Sequence, residues 1–173
     1  MRTKTITMLS LLCAIALVLG YVESFLPFFS FVPGGKIGLA NIVTMVVFCM
    51  FGARTSFPFG TLRCLLSALL YQGFSAFFYG FGGTVFSVFS MWFFQKMLKE
   101  RISPIGLSVV SAAFFNTGQI VVCALVLNGL SVFRYLPALL AVSALSGAVT
   151  GAAAKRILDL SYFRYFYKNR MER

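Results

Sequence analysis

Five hydrophilic side chains stand in otherwise apolar sequence: Glu23, Lys36, Asn41, Asn116 and Gln119. Together they offer one carboxylate, one ammonium and three amides. That set suits hydrogen bonding to a small polar or amphipathic ligand, with nearby phenylalanines covering its apolar part. Asn116 and Gln119 are three residues apart and so share one face of a helix. The same groups could instead pair with one another, as interhelical hydrogen bonds and a Glu23–Lys36 ion pair, and the residue types leave both readings open. A further charge, Arg63, stands about six residues from the inner end of the third apolar run. There it either snorkels to the inner headgroups or faces a polar cavity or a coupling partner on that side.

Bond-breaking chemistry is poorly supplied. The chain has no histidine, so neither a Ser–His nor a Cys–His arrangement exists. Its four acidic residues, Glu23, Glu100, Asp159 and Glu172, include a single aspartate. Paired catalytic carboxylates and an aspartate-rich site for Mg2+ and a diphosphate are both missing. No glycine-rich Gly-Lys-Ser/Thr loop is present to cradle ATP phosphates. Cys13, Cys49, Cys64 and Cys123 lie in apolar runs without CxxC spacing, and read as small buried thiols, not as metal ligands or a disulfide framework. The expectation is a non-enzyme with no metal and no cofactor.

The elements that position these groups follow from hydropathy. The chain is 60% hydrophobic, more than a soluble core of 173 residues requires. Six crossings thread it, roughly at 5–26, 37–53, 57–73, 83–98, 104–127 and 136–158, with no soluble domain left over. The aromatic, glycine-rich stretch Phe74–Gly83 is read as an outer interfacial loop. With that threading, all fifteen basic residues except Lys36, Arg63 and Arg134 fall on one face, so both termini are expected in the cytoplasm. The net charge of +11 then reflects loops and a tail facing anionic lipid, and nucleic acid is not an expected partner. Arg2 and Lys4 before the first apolar run resemble a secretory signal, but the run continues to Leu26 without a small-residue cleavage site and is expected to be retained. By position, Glu23, Lys36, Asn41, Asn116 and Gln119 share the outer half of the bilayer.

Small residues mark where helices touch. Gly147 and Gly151 form a GxxxG, Ala144, Ala148 and Ala152 extend a small stripe, and Ala16 and Gly20 repeat the spacing in the first crossing. Such stripes let backbones approach closely, either within this bundle or against a membrane partner, which makes Ala16, Gly20, Gly147 and Gly151 candidate docking residues.

The run Pro33-Gly34-Gly35-Lys36-Ile37-Gly38-Leu39-Ala40-Asn41-Ile42-Val43-Thr44 resembles the Gx transporter family, whose members are labelled heptaprenyl diphosphate synthase component I. Further support comes from Leu62–Leu66, Gly82–Ser87, Asn116-Thr117-Gly118-Gln119 and Tyr135-Leu136-Pro137, in order along most of the chain. That family is similar to the substrate-binding S components of energy-coupling factor (ECF) transporters. The resemblance implies an all-α bundle of six transmembrane helices in a bacterial plasma membrane, with a pocket opening outward beneath the Phe28–Lys36 loop. It also implies partners: a membrane coupling protein and cytoplasmic ATPases. Phe115 stands where the family leads one to expect a histidine, so no role of that imidazole carries over. Two other functions remain open, an accessory subunit of prenyl diphosphate or quinone synthesis and a structural subunit of a membrane redox complex.

Overall fold

The computed structural model describes residues 3–25, 38–98 and 102–160, and among these the chain is helical throughout its regular structure. Six α-helices follow one another: α1 (Thr3–Ser24), α2 (Leu39–Phe51), α3 (Ala53–Ser67), α4 (Phe74–Leu98), α5 (Pro104–Leu127) and α6 (Leu136–Asp159). A π-helical turn, Ala68–Gln72, prolongs α3, and a 3-10 turn, Leu130–Tyr135, leads into α6. Lys36 and the Phe28–Gly35 loop lie outside the described residues.

Local chemistry explains the helix ends. Ser103 caps α5 by accepting the Gly106 N–H at 3.1 Å, and Pro104 at the first turn has no N–H to leave unpaired. Asn128 ends the same helix in the left-handed region, at φ 48°. Gly52 alone joins α2 to α3 at φ 88°, a conformation that a side chain would strain.

Neighbouring helices pack antiparallel, as the residue pairs across each seam show. Gly147 faces Val109 and Gly151 faces Ile105 between α6 and α5. Ser87 meets Ser111, and Gly83 meets Phe115, between α4 and α5. Cys64 meets Thr84 between α3 and α4. This register gathers the C-termini of α1 and α5 with the N-termini of α2, α4 and α6 at one end of the bundle, here called the upper end.

Helix α2 is the centre of the packing. Every residue from Ile42 to Met50 is buried and all but Thr44 are apolar, because other helices surround this one. Phe48, Met45, Met91, Leu107 and Leu158 share one cluster with it, and Leu12, Ala16 and Phe59 share another. By contrast, α1 turns Leu11, Ile15, Val18 and Val22 outward. Helices α1, α4, α5 and α6 (the last with its 3-10 turn) are long and apolar enough to cross a membrane.

Two sequence expectations change. Phe74–Gly83 is no interfacial loop: α4 begins at Phe74 and carries its glycines inside the helix. They serve close packing, since a Cβ on Gly118 of α5 would stand 2.5 Å from the Gly82 carbonyl oxygen. The four expected docking residues are likewise spent within the chain. Ala16 is fully buried, and a Cβ on Gly20 would lie 2.5 Å from the Tyr71 hydroxyl. Cβ atoms on Gly147 and Gly151 would lie 2.6 and 2.8 Å from the backbones of Val109 and Ile105. None of the four presents a free face.

Candidate functional site

A cavity of about 610 Å3 runs between the helices, within the range of small-molecule sites. On α5 its lining extends from Ser108 to Leu127, nineteen residues or roughly 28 Å of helix. It reaches the upper end of the bundle, where Ser24, Gly38, Gln72, Val132 and Tyr135 border it. Glu23, Asn41, Asn116 and Gln119, which come from three separate stretches of sequence on three helices, all line it.

Each of these groups has a distinct state. Glu23 is buried at the end of α1, where its two carboxylate oxygens accept the N–H groups of Gly38 at 2.5 Å and Leu39 at 2.9 Å. It therefore caps α2, placing negative charge at a helix N-terminus whose amides otherwise lack partners. Lys36, which the sequence offers as a partner for Glu23, lies outside the described residues. Gly38 takes φ 80° to present its amide there, a turn suited to glycine. Asn116 Nδ2 donates to Ser143 Oγ at 2.7 Å, and Ser143 in turn donates to the Leu139 carbonyl at 2.6 Å. The amide thus ties α5 to α6. Asn41 and Gln119 are half-buried, and their side chains make no hydrogen bond among the described residues.

Arg63 belongs to the same cavity. Because α3 starts at Ala53, this residue stands ten positions into the helix, about 15 Å from its start, and not near the inner end. Its side chain is buried at 7% exposure and does not snorkel. Among the described residues Nε has no hydrogen-bond partner, and Nη2 reaches only the Cys64 sulfur, at 3.8 Å. No carboxylate among the described residues pairs with it. A buried unpaired ion costs several kcal/mol, so this guanidinium is unusual within the fold.

Other lining residues were not among the sequence's candidate site residues. Tyr71 and Gln72 come from the π-helical turn, a rare geometry frequent at functional sites. Tyr79, Phe115 and Tyr135 add aromatic surface. At the lower end the hydroxyls of Ser108 and Thr150 bond each other at 3.0 Å, and Ser111 bonds Ser87 at 2.8 Å. Ser108 and Ser111 share an α5 face as Ser146 and Thr150 share an α6 face, a spacing that does hint at two facing polar stripes. Among the described residues no group of three His, Cys, Asp or Glu could hold a metal ion.

Residues 12–157 match the family described as heptaprenyl diphosphate synthase component I. The chain belongs to that family. The match takes in the cavity-lining parts of all six helices. Comparison with curated proteins found no match, and comparison with solved structures found none either.

Proposed function

We propose that the chain is the substrate-binding membrane subunit of an ECF-type importer, which takes up a small molecule from the outer side and has no catalytic activity of its own. The observation that carries this reading is the cavity itself: Glu23, Asn41, Arg63, Asn116 and Gln119 converge on about 610 Å3 of space that reaches one end of the bundle. On this reading all six helices cross the membrane, the short α2 being shielded from lipid by its neighbours. Both termini are cytoplasmic, as the basic residues indicate, so the upper end of the cavity faces outside. Asn41 and Gln119, whose side chains have no hydrogen-bond partner among the described residues, supply hydrogen bonds to the ligand, while Glu23 holds the α1–α2 corner that borders it. A separate membrane coupling protein and cytoplasmic ATPases drive release.

The family's description favours a second reading, an accessory subunit of prenyl diphosphate synthesis. One purification separates the two. The tagged chain, drawn mildly from its native membrane, brings down ATPases and a membrane coupling protein if it is an importer subunit. It brings down a soluble aspartate-rich synthase if it is an accessory subunit. Native mass spectrometry of the same preparation detects a bound small molecule in the first case; an empty cavity with a stoichiometric synthase overturns the importer reading.

A further inference from the structure

Aromatic and polar groups both line the cavity along its length. Toward the upper end the rings of Tyr71, Tyr79 and Tyr135, with Leu127 and Val132, stand beside Glu23, Asn41 and Gln72. Deeper, Arg63 and the hydroxyls of Ser108, Ser111 and Thr150 join Met45, Phe115 and Leu139 in the lining. The antiparallel register sets Arg63 near the level of Asn116: Cys64 meets Thr84 across α3 and α4, and Gly83 meets Phe115 across α4 and α5. Gln119 stands one helical turn above that level, its amide unpaired.

Arg63 is the observation that asks for a ligand. It is more than nine-tenths buried, it lines the cavity, its Nε is unpartnered, and its closest hydrogen-bonding neighbour is a thiol at 3.8 Å. The carboxylate that shares the cavity, Glu23, is engaged with the amides of Gly38 and Leu39 at the end of α1 and forms no ion pair with Arg63. A guanidinium in low dielectric recognises an oxyanion through charge-assisted, often bidentate, hydrogen bonds. Among the described lining residues it is the one cation, and Glu23 adds a negative charge. The one guanidinium, with its paired N–H donors, matches a single carboxylate and offers no second cation to a diphosphate.

We propose that the cavity holds an elongated amphiphile bearing one carboxylate, its charge on Arg63 and its apolar body among the aromatic rings above. This rests on the importer reading only in taking the cavity for a ligand site. The ligand lies head-down along the roughly 28 Å of lined helix. Gln119 donates to the carboxylate or to a polar group next to it.

The test uses the full chain in nanodiscs of neutral lipid, with empty nanodiscs as blank. The probes are dansyl-labelled undecanoic acid and the matched primary amide. The acid binds saturably, one per chain, and about tenfold or more tighter than the amide. Arg63→Gln brings acid affinity down to that of the amide while amide affinity stays within about twofold, and Arg63→Lys keeps part of the preference. Farnesoate displaces the acid probe about tenfold better than farnesyl diphosphate, the same chain with more charge. Equal affinities of acid and amide in the unaltered protein overturn the proposal, as does a preference that survives Arg63→Gln or stronger displacement by the diphosphate. Should Arg63→Gln fail to fold, the acid–amide comparison and Arg63→Lys decide alone. Saturable amide binding without acid preference removes only the anion assignment. Absence of saturable binding by either probe removes the ligand cavity with it.

Discussion

Glu23 receives the Leu39 amide at 2.9 Å through one carboxylate oxygen while the other receives Gly38. The last turn of α1 is thereby fastened to the first turn of α2, at the border of the cavity. Replacing Glu23 by alanine leaves two amides unpaired and removes a charge from a helix N-terminus. The expected loss is about 1.5–3 kcal/mol, read as a lower melting temperature in detergent. Glu23→Gln keeps one acceptor oxygen and should lose about half as much. Equal melting of all three proteins would show that the corner holds without this carboxylate.

The α5–α6 seam should be intolerant of bulk at its glycines and indifferent to bulk on the outer face. Gly147→Leu would drive a side chain into the Val109 backbone, since even a Cβ stands 2.6 Å from it. Overpacking of this kind costs about 1–3 kcal/mol. Ala148, next in sequence, is exposed, and Ala148→Leu should leave stability within about 0.5 kcal/mol. Thermal unfolding of the two variants side by side checks the contrast.

That contrast also marks where sequence reading stops. Apolar runs report helices directly, because burial in lipid or core needs them, and α5 and α6 declare their ends through Pro104, Asn128 and Pro137. The side of the helix on which a small residue lies is not legible without a partner. Gly147 and Ala148 look alike in the sequence, but the first is buried against α5 and the second is exposed. The glycines of Phe74–Gly83 read as breakers, yet they admit α5 against α4. The shared depth of Glu23, Asn41, Asn116 and Gln119 follows from counting residues along helices. Arg63 was displaced in that count because Gly52 starts α3 earlier than the Phe57-Pro58 pair suggests.

Asn116 and Gln119 should separate structure from binding. Asn116 bonds Ser143 at 2.7 Å, so Asn116→Ala loosens α5 from α6 and costs stability, on the scale of about 0.6–1.7 kcal/mol for such bonds between membrane helices. A double-mutant cycle with Ser143→Ala should recover most of that as coupling. Gln119 has no such partner, so Gln119→Ala should leave the melting temperature unchanged and weaken ligand binding. A stability loss in Gln119→Ala with binding intact would reverse the two assignments.

Gly83 governs the shape of the cavity through Phe115. A Cβ on Gly83 would stand 2.8 Å from the Phe115 ring, which itself lines the cavity. The ring can move, so Gly83→Ala should cost little stability and instead push Phe115 into the space. Ligand affinity should fall about tenfold, and Phe115→Leu in the same background should restore it. Measured binding in the single and double variants decides whether the ring is what blocks.

The thiols report on access. Cys64 and Cys123 line the cavity, whereas Cys49 is buried in the cluster around α2. In single-cysteine proteins a small maleimide should therefore label Cys123, which is half-buried, faster than Cys49. Cys64, at 5% exposure, should label at an intermediate rate. Occupancy of the cavity by a carboxylate amphiphile should slow labelling at Cys64 more than at Cys123, because Cys64 adjoins Arg63 and Cys123 lies toward the upper end. Protection confined to Cys123 would put the ligand's head above Gln119 and away from the guanidinium.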